Sequence, residues 1–234
     1  MFDDFSKRSK AIRAALDLAE QRGWRHVTLL DIAQAAGISL SDLRREFTSK
    51  NDIIRAFQQE VDAEVLAKAK TAAEAQSPRD RLFDIIMTRF ELMTPYKGAL
   101  RRISAYLCCR PGEAATVLCS SLASQYWMLA GAGAKLDGPG GALRVTGLAG
   151  IYAKVFQVWL DDPSPSLDKT MAALDKRLTK GERWLSGLET ACGDFCRFAC
   201  GFLPRGWRRR ETEAPPPPVP PQTGPTPAPV SKSG

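Results

Sequence analysis

A chain of 234 residues has room for one small domain and one larger core, and not for a third. Its 33 Lys+Arg against 26 Asp+Glu give a formal charge of +7, but the location of that charge limits what it implies. Residues 1 to 50 carry nine Lys/Arg against seven Asp/Glu, whereas Arg197, Arg205, Arg208, Arg209 and Arg210 form an acid-free cluster near the C-terminus. The basic balance alone is therefore weak evidence for nucleic acid.

Enzyme chemistry finds little support. His26 is the single histidine, and there is no nucleophile elbow, phosphate-binding glycine loop or paired metal-ligand motif, so neither catalytic residues nor a cofactor are expected. Of the six cysteines, Cys108 and Cys109 are adjacent, Cys119 is alone, and Cys192, Cys196 and Cys200 recur every fourth residue. That pattern reads as buried, reduced thiols in helices rather than a metal site.

Taken in chain order, Met1 to Phe5 opens with acid and leads into an amphipathic helix, which excludes a secretory leader and predicts a cytoplasmic protein. From Val27 to Phe57 the pattern is that of a helix-turn-helix. Thr28 is placed as an N-cap, and Leu29, Ile32, Ala33 and Ala36 recur at helical spacing. Gly37 ends that helix, and Ser39 caps a second one whose buried side is Leu40, Leu43 and Phe47. The opposite side of the second helix is the one a DNA major groove would meet.

These residues carry a family resemblance. The run Ala19 to Trp24, Thr28 to Ala33, Ala36-Gly37-Ile38-Ser39, Phe47 and Ser49-Lys50 resembles the N-terminal domain of the TetR/AcrR regulators over residues 10 to 57. The resemblance implies an all-α, TetR-like fold, with Thr28, Ser39, Leu40, Ser41, Arg44, Arg45 and Lys50 facing duplex DNA. Two departures bear on that face: Arg44 stands where the family has Tyr, and Asp42 and Glu46 bring negative charge towards a polyanion.

Further along, Asp52 to Ala75 reads as a long connecting helix, Arg79 to Met93 as an amphipathic one, and Pro95 as the start of a helix running to Cys109. Residues 113 to 131 and 141 to 160 are two more, divided by the breaker Gly138-Pro139-Gly140-Gly141. Ser166 is expected to cap a helix to Lys180 with Leu167, Met171, Leu174 and Leu178 on its apolar face. Ala114 to Ala134 is uncharged, but Thr116, Ser120, Ser121, Ser124 and Gln125 interrupt it, so it is read as a central helix and not a span. Phe90, Tyr126, Trp127 and Met128 are the candidate lining for an apolar ligand, with plain core packing as the competing reading. Val145, Leu148, Ile151, Tyr152, Val155, Val158 and Trp159 exceed one buried stripe and point to a homodimer through residues 142 to 160 and 166 to 180.

A second resemblance covers residues 79 to 182. Arg81 to Asp84, Arg89-Phe90, Pro95 to Lys97, Trp127 to Leu129 and Val158 to Asp162 are similar to the C-terminal domain of TetR-like accessory proteins of ubiquinone biosynthesis. That family implies a bound isoprenoid lipid and little DNA binding. Behind it, residues 183 to 210 read as an amphipathic helix with a basic end, and Trp184, Phe195, Phe198 and Phe202 as its apolar contacts with the inner membrane face or with the protein body. Residues 211 to 234 are Pro-rich and expected to be disordered. The domains expected are thus 1–57 for DNA and 58–182 for ligand and dimerisation, followed by those two C-terminal segments. The function expected is a one-component regulator, a repressor, that responds to a small apolar ligand; the alternative is a lipid-binding accessory protein of ubiquinone biosynthesis.

Overall fold

A computed structural model describes residues 6–69 and 77–183, and among them every regular element is a helix. α1 (Lys7–Arg22) begins where the Ser6 hydroxyl accepts from the Ser9 amide at 3.1 Å, and it stops at Gly23. A 3₁₀ turn (Trp24–His26) buries Trp24 and leads into α2 (Leu29–Ala35) and α3 (Leu40–Glu46). Gly37 sits between these two helices at φ 65°, a conformation costly for residues with a Cβ, and the turn it makes lets Ile38 N–H reach the Ala33 carbonyl at 3.0 Å. α4 (Lys50–Ala69) starts where Ser49 Oγ accepts from the Asp52 amide and the Asp52 carboxylate accepts from the Thr48 amide.

The remaining elements are α5 (Pro78–Met93), a 3₁₀ turn (Thr94–Tyr96), α6 (Lys97–Cys108), α7 (Pro111–Gly131), α8 (Gly138–Asp161) and α9 over residues 168–183. Burial runs continuously through the body. Ile12, Leu16 and Ala19 of α1 pack with Ile32, Leu43, Phe47, Ile53 and Phe57, and the same core extends through Val61, Ile86, Phe90, Tyr152, Val155 and Trp159. Leu100 and Ile103 of α6 close onto α1 and α4 around a void of only about 10 Å³, so α6 packs directly against the helix-turn-helix head.

Several expectations are corrected. The Gly-Pro-Gly-Gly breaker is the first turn of α8, because proline lacks only an N–H that a first helical turn leaves unbonded anyway. A Cβ on Gly141 would lie 1.8 Å from the Leu136 carbonyl oxygen, so this position requires glycine. The cap of α9 is Asp162, not Ser166. Its Oδ2 accepts from the Thr170 amide (2.9 Å) and hydroxyl (2.8 Å), and its Oδ1 accepts from the Ser164 amide (3.1 Å) and hydroxyl (2.6 Å). Leu167 adopts φ 56° in the same turn, a left-handed strain of about 1 kcal/mol held in place by burial of its side chain. The described cysteines, Cys108, Cys109 and Cys119, are exposed, since they sit at the end of α6 and on the outer face of α7. Met171 is 41% exposed and not part of the α9 core face. Among the described residues no helix is long and apolar enough to cross a membrane. Trp184, Phe195, Phe198 and Phe202, the remaining cysteines and the Pro-rich segment lie outside the described residues.

Candidate nucleic-acid interface and ligand-domain interior

The head is built by two side-chain caps. Thr28 and Asp31 close a capping box: the Asp31 amide donates to Thr28 Oγ1 (3.1 Å), and the Thr28 amide donates to Asp31 Oδ2 (2.8 Å). The Thr28 hydrogen bonds hold the Asp31 carboxyl below its usual range. Ser39 repeats the motif at α3, accepting from the Asp42 amide at 3.0 Å, with Ser41 Oγ 2.8 Å from Ser39 Oγ. Ile32, Ala33, Leu43 and Phe47 are buried behind these caps, while Thr28, Leu30, Ser39, Leu40, Ser41, Arg44 and Arg45 are exposed. Leu30 and Leu40, 52% and 49% exposed, leave this face unusually apolar for a solvated surface.

The acid at position 42 is neutralised within the protein. Lys7 Nζ of α1 lies 2.9 Å from Asp42 Oδ1, and Arg45 Nη1 lies 3.8 Å from the same oxygen. The Lys7 contact, followed by the Ser39 hydroxyl, holds the Asp42 carboxyl low and ionised. Glu46 is exposed.

Lys50 departs from its expected place on the DNA face. Its ammonium donates to the Trp24 and Val27 carbonyls, both at 2.7 Å, lies 4.5 Å from the Trp24 ring centroid and 5.6 Å from that of Tyr106. Burial lowers its pKa. It therefore fastens the start of α4 to the backbone that feeds α2. The contacts continue into the helical domain: Tyr106 Oη donates to Glu113 Oε1 at 3.1 Å, and Arg110 lies over the Tyr106 ring at 4.8 Å.

The four candidate ligand residues do not meet in one cavity. α7 buries Ser124, Gln125, Met128 and Leu129, so Tyr126 and Trp127 point to the other side and are 46% and 56% exposed. Phe90 is fully buried in an aromatic cluster, stacked on Tyr152 at 5.2 Å and tilted against Trp159 at 5.5 Å.

What the interior holds instead is a buried polar centre. Arg89, 1% exposed, places Nη1 2.9 Å from Asp62 Oδ1 in an ion pair whose angle does not make a hydrogen bond. Its Nη2 donates to Ser124 Oγ at 3.3 Å, and the Ser124 hydroxyl also donates to Asp62. The guanidinium lies 5.0 Å from the Tyr152 ring. Burial pushes the Asp62 carboxyl up, while Arg89 and Ser124 pull it back. Gln125, fully buried beside Ser124, has neither amide atom hydrogen-bonded within the protein. The sequence names Arg89, Ser124 and Gln125 without assembling them with Asp62 into one centre, although a signal is present: Asp62 lies between Val61 and Val65, and Arg89 among Ile85, Ile86, Phe90 and Met93, so both are charges on helix stripes that are otherwise apolar.

Fold and head together define an all-α helix-turn-helix protein with a helical domain behind the head. Comparison with known proteins adds the family. Residues 11–57 match the bacterial regulatory proteins, tetR family. In overall fold the chain is similar to a TetR transcriptional regulator from Nitrosomonas europaea ATCC 19718 (TM-score 0.62, 22% identity, 75% of this chain and 97% of that one). It is also similar to a tetR-family regulator from Streptomyces coelicolor (TM-score 0.53, 19% identity, 86% and 90%) and to the regulator FadR from Bacillus subtilis, solved with stearoyl-CoA (TM-score 0.50, 17% identity, 72% and 96%). No curated protein shows a significant match to the chain. Residues 11–57 are thus a helix-turn-helix domain of the TetR type, and the helices behind it share the fold of the TetR-family structures compared.

Proposed function

We propose that the protein is a one-component repressor, acting in the cytoplasm as a homodimer, that binds duplex DNA through the exposed face of α2 and α3 and releases it when a small, mostly apolar ligand enters the helical domain. The observation that carries the reading is the Lys7–Asp42 pair. It removes the charge most adverse to DNA from a face where Arg44 and Arg45 remain exposed. Thr28, Ser39, Leu40 and Ser41 are the other candidates for contact, and Lys50 supports the face from behind. A ligand-responsive interior draws support from the FadR neighbour and from the polar centre at Arg89. Coupling between the two regions follows the contacts from Glu113 through Tyr106 to Lys50 and the carbonyls before α2, so a ligand that favours one arrangement of α6 and α7 shifts the population of head orientations.

The test is fluorescence anisotropy of the full chain with duplexes from its own upstream region across a range of salt. Saturable, salt-sensitive binding that exceeds binding to a scrambled duplex is expected. Absence of salt-sensitive binding to any duplex would remove the regulator reading.

A further inference from the structure

A cavity of about 80 Å³ lies among α4, α5 and the end of α7, lined by Val65, Ala69, Ile85, Thr88 and Gly131 together with the charged Lys68, Arg81 and Asp84. On each helix the same face leads inward from this cavity to the polar centre: Val65 to Asp62 on α4, Ile85 to Arg89 on α5, and Gly131 through Met128 to Gln125 on α7. Two properties of that centre constrain what it can take. First, it is charge-balanced, since Arg89 and Asp62 pair with one another. A net charge brought in by a ligand would stay buried without a counterion, which is heavily disfavoured. Second, its unmet hydrogen-bonding capacity sets donors beside acceptors: Gln125 offers an N–H donor and a carbonyl acceptor, Arg89 Nε and Nη1 add donors, and Asp62 Oδ1 adds an acceptor.

We propose that the Arg89–Asp62–Ser124–Gln125 cluster reads the polar group of an uncharged, chiefly aromatic ligand that carries a donor and an acceptor side by side. The neighbouring rings of Phe90, Tyr152 and Trp159 suit an aromatic body. Because 80 Å³ is less than the roughly 150 Å³ of a void that admits benzene, occupancy must part α4 from α5 or α7. The inference rests on the ligand-responsive reading above and names the class of ligand that the reading leaves open.

The test uses the full chain without DNA, so that its result is separate from the question of DNA binding. Benzamide, benzoate and toluene share one ring and differ in head: amide, anion and methyl. Saturation-transfer NMR with each at millimolar concentration is expected to show benzamide binding at least tenfold tighter than benzoate and tighter than toluene. Gln125→Leu, which keeps volume while removing the amide, is expected to abolish the preference for benzamide over toluene while retaining the wild-type circular dichroism. If Gln125→Leu fails to fold, Gln125→Met, which keeps the unbranched shape without the amide, serves the same purpose and is expected to lose the preference for benzamide over toluene. Benzoate binding as well as benzamide, a benzamide preference unchanged in the folded variant, or no binding of any of the three would each overturn the proposal.

Discussion

Lys50 and Trp24 are joined twice, by a 2.7 Å hydrogen bond from the ammonium to the Trp24 carbonyl and by the ammonium's position 4.5 Å from the indole centroid. The partly buried charge thus supplies a donor to the Val27 carbonyl and a second one to the Trp24 carbonyl, which also accepts from the Val27 amide at 3.4 Å. Lys50→Met would keep the stem's packing and leave the Val27 carbonyl short of a donor. A stability loss of about 1–3 kcal/mol is expected in urea unfolding. DNA affinity should fall while the salt slope stays at its wild-type value, because a support has been removed and not a phosphate contact.

Arg44 and Arg45 should behave in the opposite way. Each replaced by Ala is expected to lower affinity for all duplexes alike and to reduce the slope of log K against log salt by roughly 0.9. Lys7→Ala should also weaken binding, although Lys7 belongs to α1, because it uncovers the Asp42 carboxylate. Anisotropy titrations at several salt concentrations distinguish the three variants. Unchanged slopes for both arginine variants would move the contact surface elsewhere.

Asp162 makes the fold sensitive to acid. Burial alone would raise its pKa, but the hydrogen bonds from Ser164 and Thr170 outweigh burial and hold the carboxyl far below the usual carboxylate range. A folded pKa depressed in this way contributes stability that is fully present above about pH 4 and is lost as pH falls towards the folded value. Asp162→Asn is expected to cost about 2 kcal/mol at pH 7 through the lost cap and its charged hydrogen bonds. The gap in Tm between variant and wild type should narrow as pH is lowered from 7 to 3, and a gap independent of pH would refute the assignment.

Arg89→Met leaves Asp62 buried without its cation, for which a loss of about 3–5 kcal/mol is expected. The double variant Arg89→Met with Asp62→Leu should be more stable than the single one, since no unpaired charge remains. Equilibrium urea unfolding of these two variants, the Asp62→Leu single variant and wild type gives the coupling directly. A double variant less stable than Arg89→Met would show that Asp62 contributes stability without its cation, through its hydrogen bond from Ser124.

The dimer surface can be probed without disturbing the core. Val155 is fully buried in its own protomer, so a charge there is expected to unfold the protein and not to dissociate it. Leu143 and Met171, 36% and 41% exposed, are the better positions. Light scattering should give a dimer mass for wild type and a monomer mass for the double Asp variant, with circular dichroism unchanged. A monomeric wild type at micromolar concentration would rule out the homodimer.

Much of this was legible because the head's signals are local. Thr28, Gly37 and Ser39 each fix the backbone within four residues, and their geometry is as the pattern implied. The helical periodicity behind the head was equally readable, since it depends on one face of one element. Contacts between elements were not. Lys50 looks like any basic residue at a helix start until Trp24, Val27 and Tyr106 are brought around it. Tyr126 and Trp127 looked like lining because they adjoin Met128 in sequence, yet a helix turns them about 200° and 100° away from it. Asp162 lost the cap assignment to Ser166 because the turn reaches Thr170 through a left-handed Leu167, a conformation that no residue preference would suggest.

The bond between Lys7 and Asp42 separates two things that DNA-reading helices usually change together. In the proposed DNA interface, the groups displayed by α3 would determine what the surface discriminates, whereas the strength of its attraction to a polyanion would be adjusted from α1, outside that helix. On that proposal, a mutation at position 7 would loosen or tighten the protein on every site without altering its preference among them. Residues of α3 remain free to vary in identity, because the compensating charge does not come from their own surface.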